Sequence, residues 1–156
     1  MRSRTFRLGI VALTGAAILA TAVLAEGSPT AKAGRPAVRL ARLTGEAEVP
    51  TGDLDGSGLA TVIVHPARGR LCFAIVVDDI ELPATGAHVH RGRAGVAGPI
   101  VVPLTAPDET GTSAGCVSVA DQQLLIAIKR HPRQYYVNVH TTDFPAGAVR
   151  GQLHRP

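Results

Sequence analysis

Between Val38 and Leu153 the chain is divided into eight short apolar-rich runs, none longer than seven residues, separated by turn-forming residues. VRLARL (38–43), LATVIVH (59–65), LCFAIVV (71–77), AHVH (87–90), IVVPL (100–104), AGCVSV (114–119), YYVNVH (135–140) and AVRGQL (148–153) are bounded by TGDLDGSG, PARGR and other Gly/Pro-bearing turns. Such runs are too short for helices and match β-strands in length and residue type. The expected fold is therefore mainly β: a Greek-key-like sandwich or barrel of about eight strands. LCFAIVV, almost wholly apolar, reads as a strand buried on both faces.

One segment breaks the pattern. DQQLLIAIKR (121–130) places Asp121 as an N-cap, Leu124, Leu125 and Ile128 at helical spacing, and basic residues at the end, where His-Pro stops it. This predicts one short helix covering an open end of the core.

The N-terminus sets the compartment. MRSRTFR is basic, Leu8–Ala25 carries no charge, and small residues stand at Val23 and Ala25. A signal peptide over 1–25 is expected, with an alternative cleavage after 33, then a flexible linker over 26–37 and one domain over 38–156. The expected location is secreted, periplasmic or in the cell envelope, with membrane attachment only if the N-terminal segment stays uncleaved. Across the chain, 16 Lys+Arg stand against 12 Asp+Glu, a net charge of +4. Loss of Arg2, Arg4 and Arg7 with the signal leaves 13 against 12. With no basic run left, no Trp and few aromatics, nucleic acid is excluded as a partner. Cys72 and Cys116 both lie in the exported part, where one disulfide between them is expected. There is no Cys-x-x-Cys, Gly-x-Ser-x-Gly, phosphate loop or dinucleotide fingerprint.

GAHVHRGRAGVAGP (86–99) holds the most distinctive chemistry. On a strand, His88 and His90 share one face about 6.6 Å apart, opposite Ala87 and Val89. In YYVNVH, Tyr136, Asn138 and His140 share a face, and Tyr135, Val137 and Val139 point to the core. If the two strands are neighbours, His140 adds a third imidazole to the pair, a set suited to copper or zinc. The same rings could instead organise the 92–98 loop through its backbone amides. Asn138, Asp143, Arg91 and Arg150 are candidates for orienting these groups or the loop. Arg91, Arg93 and Arg150 could also gather an anion, although salt bridges to Asp78, Asp79 and Glu81 are the stronger expectation. GDLDGSG begins like a calcium loop but has Val64 where the closing Glu belongs, so it reads as a hairpin turn. His65, His131 and His154 read as ordinary solvated residues.

LTGEAEVP, GDLDGSGLA, LCFAIVVDDI, GAHVHRGRAGVAGPIVVPL, AGCVSV and YYVNVHTTDFPAGAVRGQL together resemble the successive blocks of the CHRD domain, the module first named in chordin and found also in exported bacterial proteins. The resemblance implies a compact β-rich extracellular domain without an assigned biochemical function. Chordin's growth-factor-binding Cys-rich repeats are absent, so antagonism of growth factors does not carry over. The chain's length, signal and Ala/Gly/Arg-rich composition suggest a bacterial origin. In outline the His-Val-His strand and the later strand ending in His are also similar to copper–zinc superoxide dismutase, but most of that enzyme's ligand pattern is missing. The leading expectation is a non-catalytic binding or envelope-associated module with His88, His90 and His140 facing an unknown envelope or extracellular ligand. No catalytic residue is assigned. The alternative is a copper/zinc protein with dismutase-like or metal-handling activity.

Overall fold

The computed structural model describes residues 34–156, so the expected signal peptide and most of the expected linker lie outside the described residues. Eight strands form one antiparallel sheet: β1 (Ala37–Thr44), β2 (Ser57–His65), β3 (Arg70–Asp78), β4 (Gly86–Arg91), β5 (Ile100–Leu104), β6 (Thr112–Ser118), β7 (Tyr135–His140) and β8 (Val149–Gln152). Their spatial order is β5-β4-β7-β8-β1-β2-β3-β6. The sheet curls into a nearly closed barrel. At the seam between its edge strands, Ser113 Oγ donates to Thr105 O (2.8 Å) and Asp108 N to Thr112 O (3.1 Å). The β3–β4 and β6–β7 connections cross over, giving the Greek-key character.

Period-2 alternation places the core. Leu43, Val62, Val64, Leu71, Ile75, Val89, Val102, Val137 and Val149 point inward and are buried. Helix α1 (Gln122–Arg130) closes one end of the barrel by inserting Leu125 and Ile128 into this core. Asp121 caps it, its Oδ1 accepting from Gln123 N (2.9 Å) and Leu124 N (3.0 Å), which satisfies two amides that the first turn leaves without partners.

β3 is buried on one face only. Leu71, Phe73, Ile75 and Val77 enter the core, whereas Ala74 is exposed and Val76 is 47% exposed. An apolar run signals burial but not a covering layer, and among the described residues no second sheet lies outside β3. Its outer face instead carries the disulfide from Cys72 to Cys116, directly opposite in the β3–β6 register.

Because neighbouring strands are antiparallel throughout, the connections sort cleanly to two ends. Loops 45–56, 79–85, 105–111 and 141–148 share one end. The 66–69 turn, the 92–99 loop, α1 with its flanks and the C-terminal residues 153–156 share the other. The GDLDGSG turn lies at the first end, where Asp53 Oδ1 accepts from Asp55 N (3.2 Å).

Candidate functional site: a polar outer face on β4, β7 and β8

β4 and β7 are neighbours, with His88 opposite Asn138 and His90 opposite Tyr136. Asn138 in turn faces Arg150 on β8. The alternation that buries Ala87, Val89, Val137 and Val139 therefore turns His88, His90, Tyr136, Asn138, His140 and Arg150 outward together. A β-bulge interrupts the β4–β5 register between Val89 and His90, a device that re-aims side chains at the edge of a site. Loops then fold back over this face, so His90, Asn138, Tyr136 and Arg150 are all buried despite pointing away from the core.

The three histidines converge. One ring nitrogen from each of His88, His90 and His140 lies within 4.8 Å of the others, and His88 Nδ1 and His140 Nε2 are 3.1 Å apart. Their second nitrogens decide the tautomers. His90 Nδ1 is 2.8 Å from Gly98 O, and His140 Nδ1 is 3.0 Å from Pro145 O. A carbonyl oxygen only accepts, so both Nδ1 atoms carry the proton and both Nε2 atoms present a lone pair. Binding histidines show the same arrangement, one nitrogen anchored to a carbonyl and the other free for the ion.

The 92–99 loop is fixed from several sides. Gly98 N donates to Tyr136 Oη (3.1 Å) while Gly98 O takes the His90 proton. A Cβ at Gly98 would stand 1.8 Å from Arg91 O, so only glycine allows this approach. The Tyr136 ring stacks on His90 (centroids 4.7 Å apart) and carries the Arg150 guanidinium 3.4 Å from its own centroid. Arg150 Nη2 donates to Arg93 O (2.8 Å).

Glu48, from the β1–β2 loop, completes the face. Its carboxylate is buried and is held by Val49 N (3.3 Å), by the Asn138 side chain and by the fields of Arg150 and His140. A Cβ on Gly147 would lie 2.2 Å from Glu48 Oε1, so this neighbour keeps the space open. Burial is the largest influence and pushes the Glu48 carboxyl above its ordinary value against those partners. Burial, and after it the neighbouring histidines, lowers the His88 imidazole. Burial also lowers His90, against the opposing pull of the Gly98 carbonyl. Both rings are thereby biased toward the neutral form that binds metals.

Among the described residues, six buried side-chain polar atoms lack a hydrogen-bond partner, and four of them lie on this face: His90 Nε2, Asn138 Oδ1, Glu48 Oε1 and Arg150 Nη1. Buried polar atoms are seldom left unpaired, and four of the six are concentrated on this one face. The nitrogen set fits a copper or zinc ion: two nitrogens at about 2.0–2.1 Å from one ion stand no more than about 4.2 Å apart. The 3.1 Å pair already meets that condition, and the third nitrogen lies within 4.8 Å of both.

The other candidates fall elsewhere. Asp143 is exposed and its amide donates to Glu81 Oε2 (3.0 Å), while the carbonyl that holds His140 belongs to Pro145. Arg91 is exposed at the end of β4. Within the described residues, Arg91, Arg93 and Arg150 make no ion pair with a carboxylate, contrary to the expected bridges to Asp78, Asp79 and Glu81, which lie with other carboxylates at the opposite end. His131 and His154 are exposed, but His65 is partly buried, with its Nδ1 shut away from any partner. Glu48 was not expected at the site. It lies 40 residues before His88 in a polar turn, where no periodicity distinguishes a buried carboxylate from a solvated one.

Fold and site together define a nearly closed antiparallel β-barrel that displays a buried, histidine-bearing polar face on the outside of three strands. The chain belongs to the CHRD-domain family, whose model matches residues 40–153. No curated protein and no solved structure matches it.

Proposed function

We propose that the protein is an exported, non-catalytic metal-binding module that holds one copper or zinc ion on His88, His90 and His140. The observation that carries this reading is the state of His90: its Nδ1 proton is committed to Gly98 O, and its buried Nε2 makes no hydrogen bond, with the Asn138 side chain the polar group that acts on the ring. Loop organisation alone accounts for the first nitrogen and leaves the second without a purpose. Three imidazoles with a further position open suit copper or zinc better than calcium or magnesium, which take oxygen ligands. His88 Nδ1, which donates to His140 Nε2 when no ion is bound, would give up that proton on binding and carry one on Nε2 instead. Export agrees with the Cys72–Cys116 disulfide, since such bonds persist in oxidising compartments.

Calorimetric titration of untagged protein with Cu²⁺ and with Zn²⁺ tests the proposal. One-to-one binding that is lost in His88→Ala/His90→Ala and in His140→Ala is expected. Unchanged binding in these variants, or no binding by the folded protein, would reduce the histidines to loop anchors.

A further inference from the structure

The two ends of the barrel differ sharply in charge. The four loops at one end carry nine carboxylates and neither Lys nor Arg. Among the described residues, the connections and terminal segments at the other end, residues 34–36 included, carry seven Lys and Arg residues and a single acidic side chain, the Asp121 cap. This separation is invisible in the overall balance of 16 Lys+Arg against 12 Asp+Glu, and it arises because antiparallel connections alternate between ends.

A cleft of about 930 Å³ opens at the basic end, between the 92–99 loop, the end of α1 and the C-terminal residues. Arg93, Arg130, Arg133 and Arg155 line it with His131 and His154, and no carboxylate does. All four arginines are exposed, and none pairs with a carboxylate among the described residues. The floor beneath them is firmly tied. Gln152 Nε2 reaches the carbonyls of Gly92 (2.7 Å), Arg133 (2.9 Å) and Tyr135 (2.9 Å), while Gly92 N donates to Gln134 O (2.8 Å). The concentrated charge is felt next door, where Arg39 is held below its ordinary value by burial first and by Arg155 second.

We propose that this cleft is an anion site for phosphate-bearing ligands, separate from the histidine face. Guanidinium forks match phosphate oxygens in bidentate geometry. A concave site lined by one sign of charge concentrates opposite charge within it. Four guanidiniums without internal counter-charges repel one another until an anion of several charges enters, so a polyvalent phosphate is the favoured occupant. It could be a free phosphate or a lipid headgroup, two sources with the same chemistry.

The test uses metal-stripped protein, so that the outcome is independent of the histidine site. Sodium pyrophosphate is titrated calorimetrically in one arm. In the other, the protein is co-sedimented with vesicles of phosphatidylglycerol and phosphatidylcholine. Arg130→Ser/Arg133→Ser is compared throughout, with circular dichroism confirming its fold, which exposed positions should leave intact. Binding in at least one arm is expected, at least about tenfold weaker in the variant and weaker again at raised ionic strength. Pyrophosphate binding would identify a free phosphate as the source, and binding to vesicles alone a headgroup. Absence of binding in both arms, or binding indifferent to the substitutions, would overturn the proposal. So would low-salt self-association abolished by the variant without any phosphate binding, which would assign the basic end to the acidic end of a second copy.

Discussion

His88 Nδ1 and His140 Nε2 face each other at 3.1 Å across the β4–β7 strand pair, although 52 residues separate them in the chain. Two neutral imidazoles at this distance share one proton, donated by His88. A cation replaces that proton when both nitrogens turn their lone pairs to it. Gly98 and Pro145 hold the protons of His90 and His140 on the far side of each ring, so two of the three ligands are already in the binding tautomer.

Tyr136→Phe separates stacking from hydrogen bonding at this site. The ring stays against His90 and beneath Arg150, but Gly98 N loses its acceptor. A loss of about 1 kcal/mol in urea unfolding is expected, together with roughly tenfold weaker metal binding, the lower end of what removing a supporting hydrogen bond costs. A change in stability alone would confine Tyr136 to the loop.

Arg150 and Glu48 are opposite charges buried on the same face. Arg150→Met removes a cation whose field favours the Glu48 carboxylate, together with the bond to Arg93 O and the contact on Tyr136, and should destabilise the protein by about 1–3 kcal/mol. Glu48→Gln in the same background should recover part of that loss. A denaturation double-mutant cycle reads the coupling directly, and strict additivity would show that the two charges do not sense each other.

The disulfide joins positions 44 residues apart on neighbouring strands. Replacing both cysteines by serine should cost up to about 4 kcal/mol through the freed entropy of the unfolded chain. Urea unfolding of the variant and of the wild type under reducing conditions should agree. The metal affinity should not change, because the bridge lies on β3 and β6, away from β4 and β7.

Acid should destabilise the metal-free protein through the imidazoles. His88 and His90 take up protons at lower pH in the folded chain than the ordinary 6.5. From pH 6.5 downward the unfolded chain therefore binds more protons, and stability falls as the pH drops toward the folded values. Glu48 acts in the opposite sense, since its raised carboxyl takes up a proton more readily when folded. Thermal melts between pH 7.5 and 5.5 should show a falling midpoint in the wild type and a shallower slope in His88→Gln/His90→Gln.

The strand pattern, the helix over 122–130 and the sharing of a face by His88, His90 and His140 were legible because each rests on a period of two or 3.6. β4–β7 adjacency remained conditional in the sequence, since nothing in either strand states its neighbour. Local patterning also failed for β3, where seven apolar residues in succession gave no sign that Val76 would face outward. Carbonyl partners such as Pro145 O leave no mark on residue type, which is why Asp143 was the natural candidate for orienting His140. Glu48 is buried by distant backbone. Gly52 N donates to Gly45 O (2.9 Å), Asp53 N donates to Ala148 O (2.9 Å), and these bonds fold the 45–56 loop against 147–148. The charge separation of the two ends likewise required the topology, because it depends on which loops share an end.

Anomalous diffraction from crystals grown with one equivalent of Zn²⁺, recorded on both sides of the zinc edge, tests the central claim most directly. A single peak about 2.0–2.1 Å from His88 Nδ1, His90 Nε2 and His140 Nε2 is expected, with the Gly98 and Pro145 carbonyls still holding the opposite nitrogens. An ion bound elsewhere on the barrel, with the three rings unmoved and His88 still donating to His140, would contradict it.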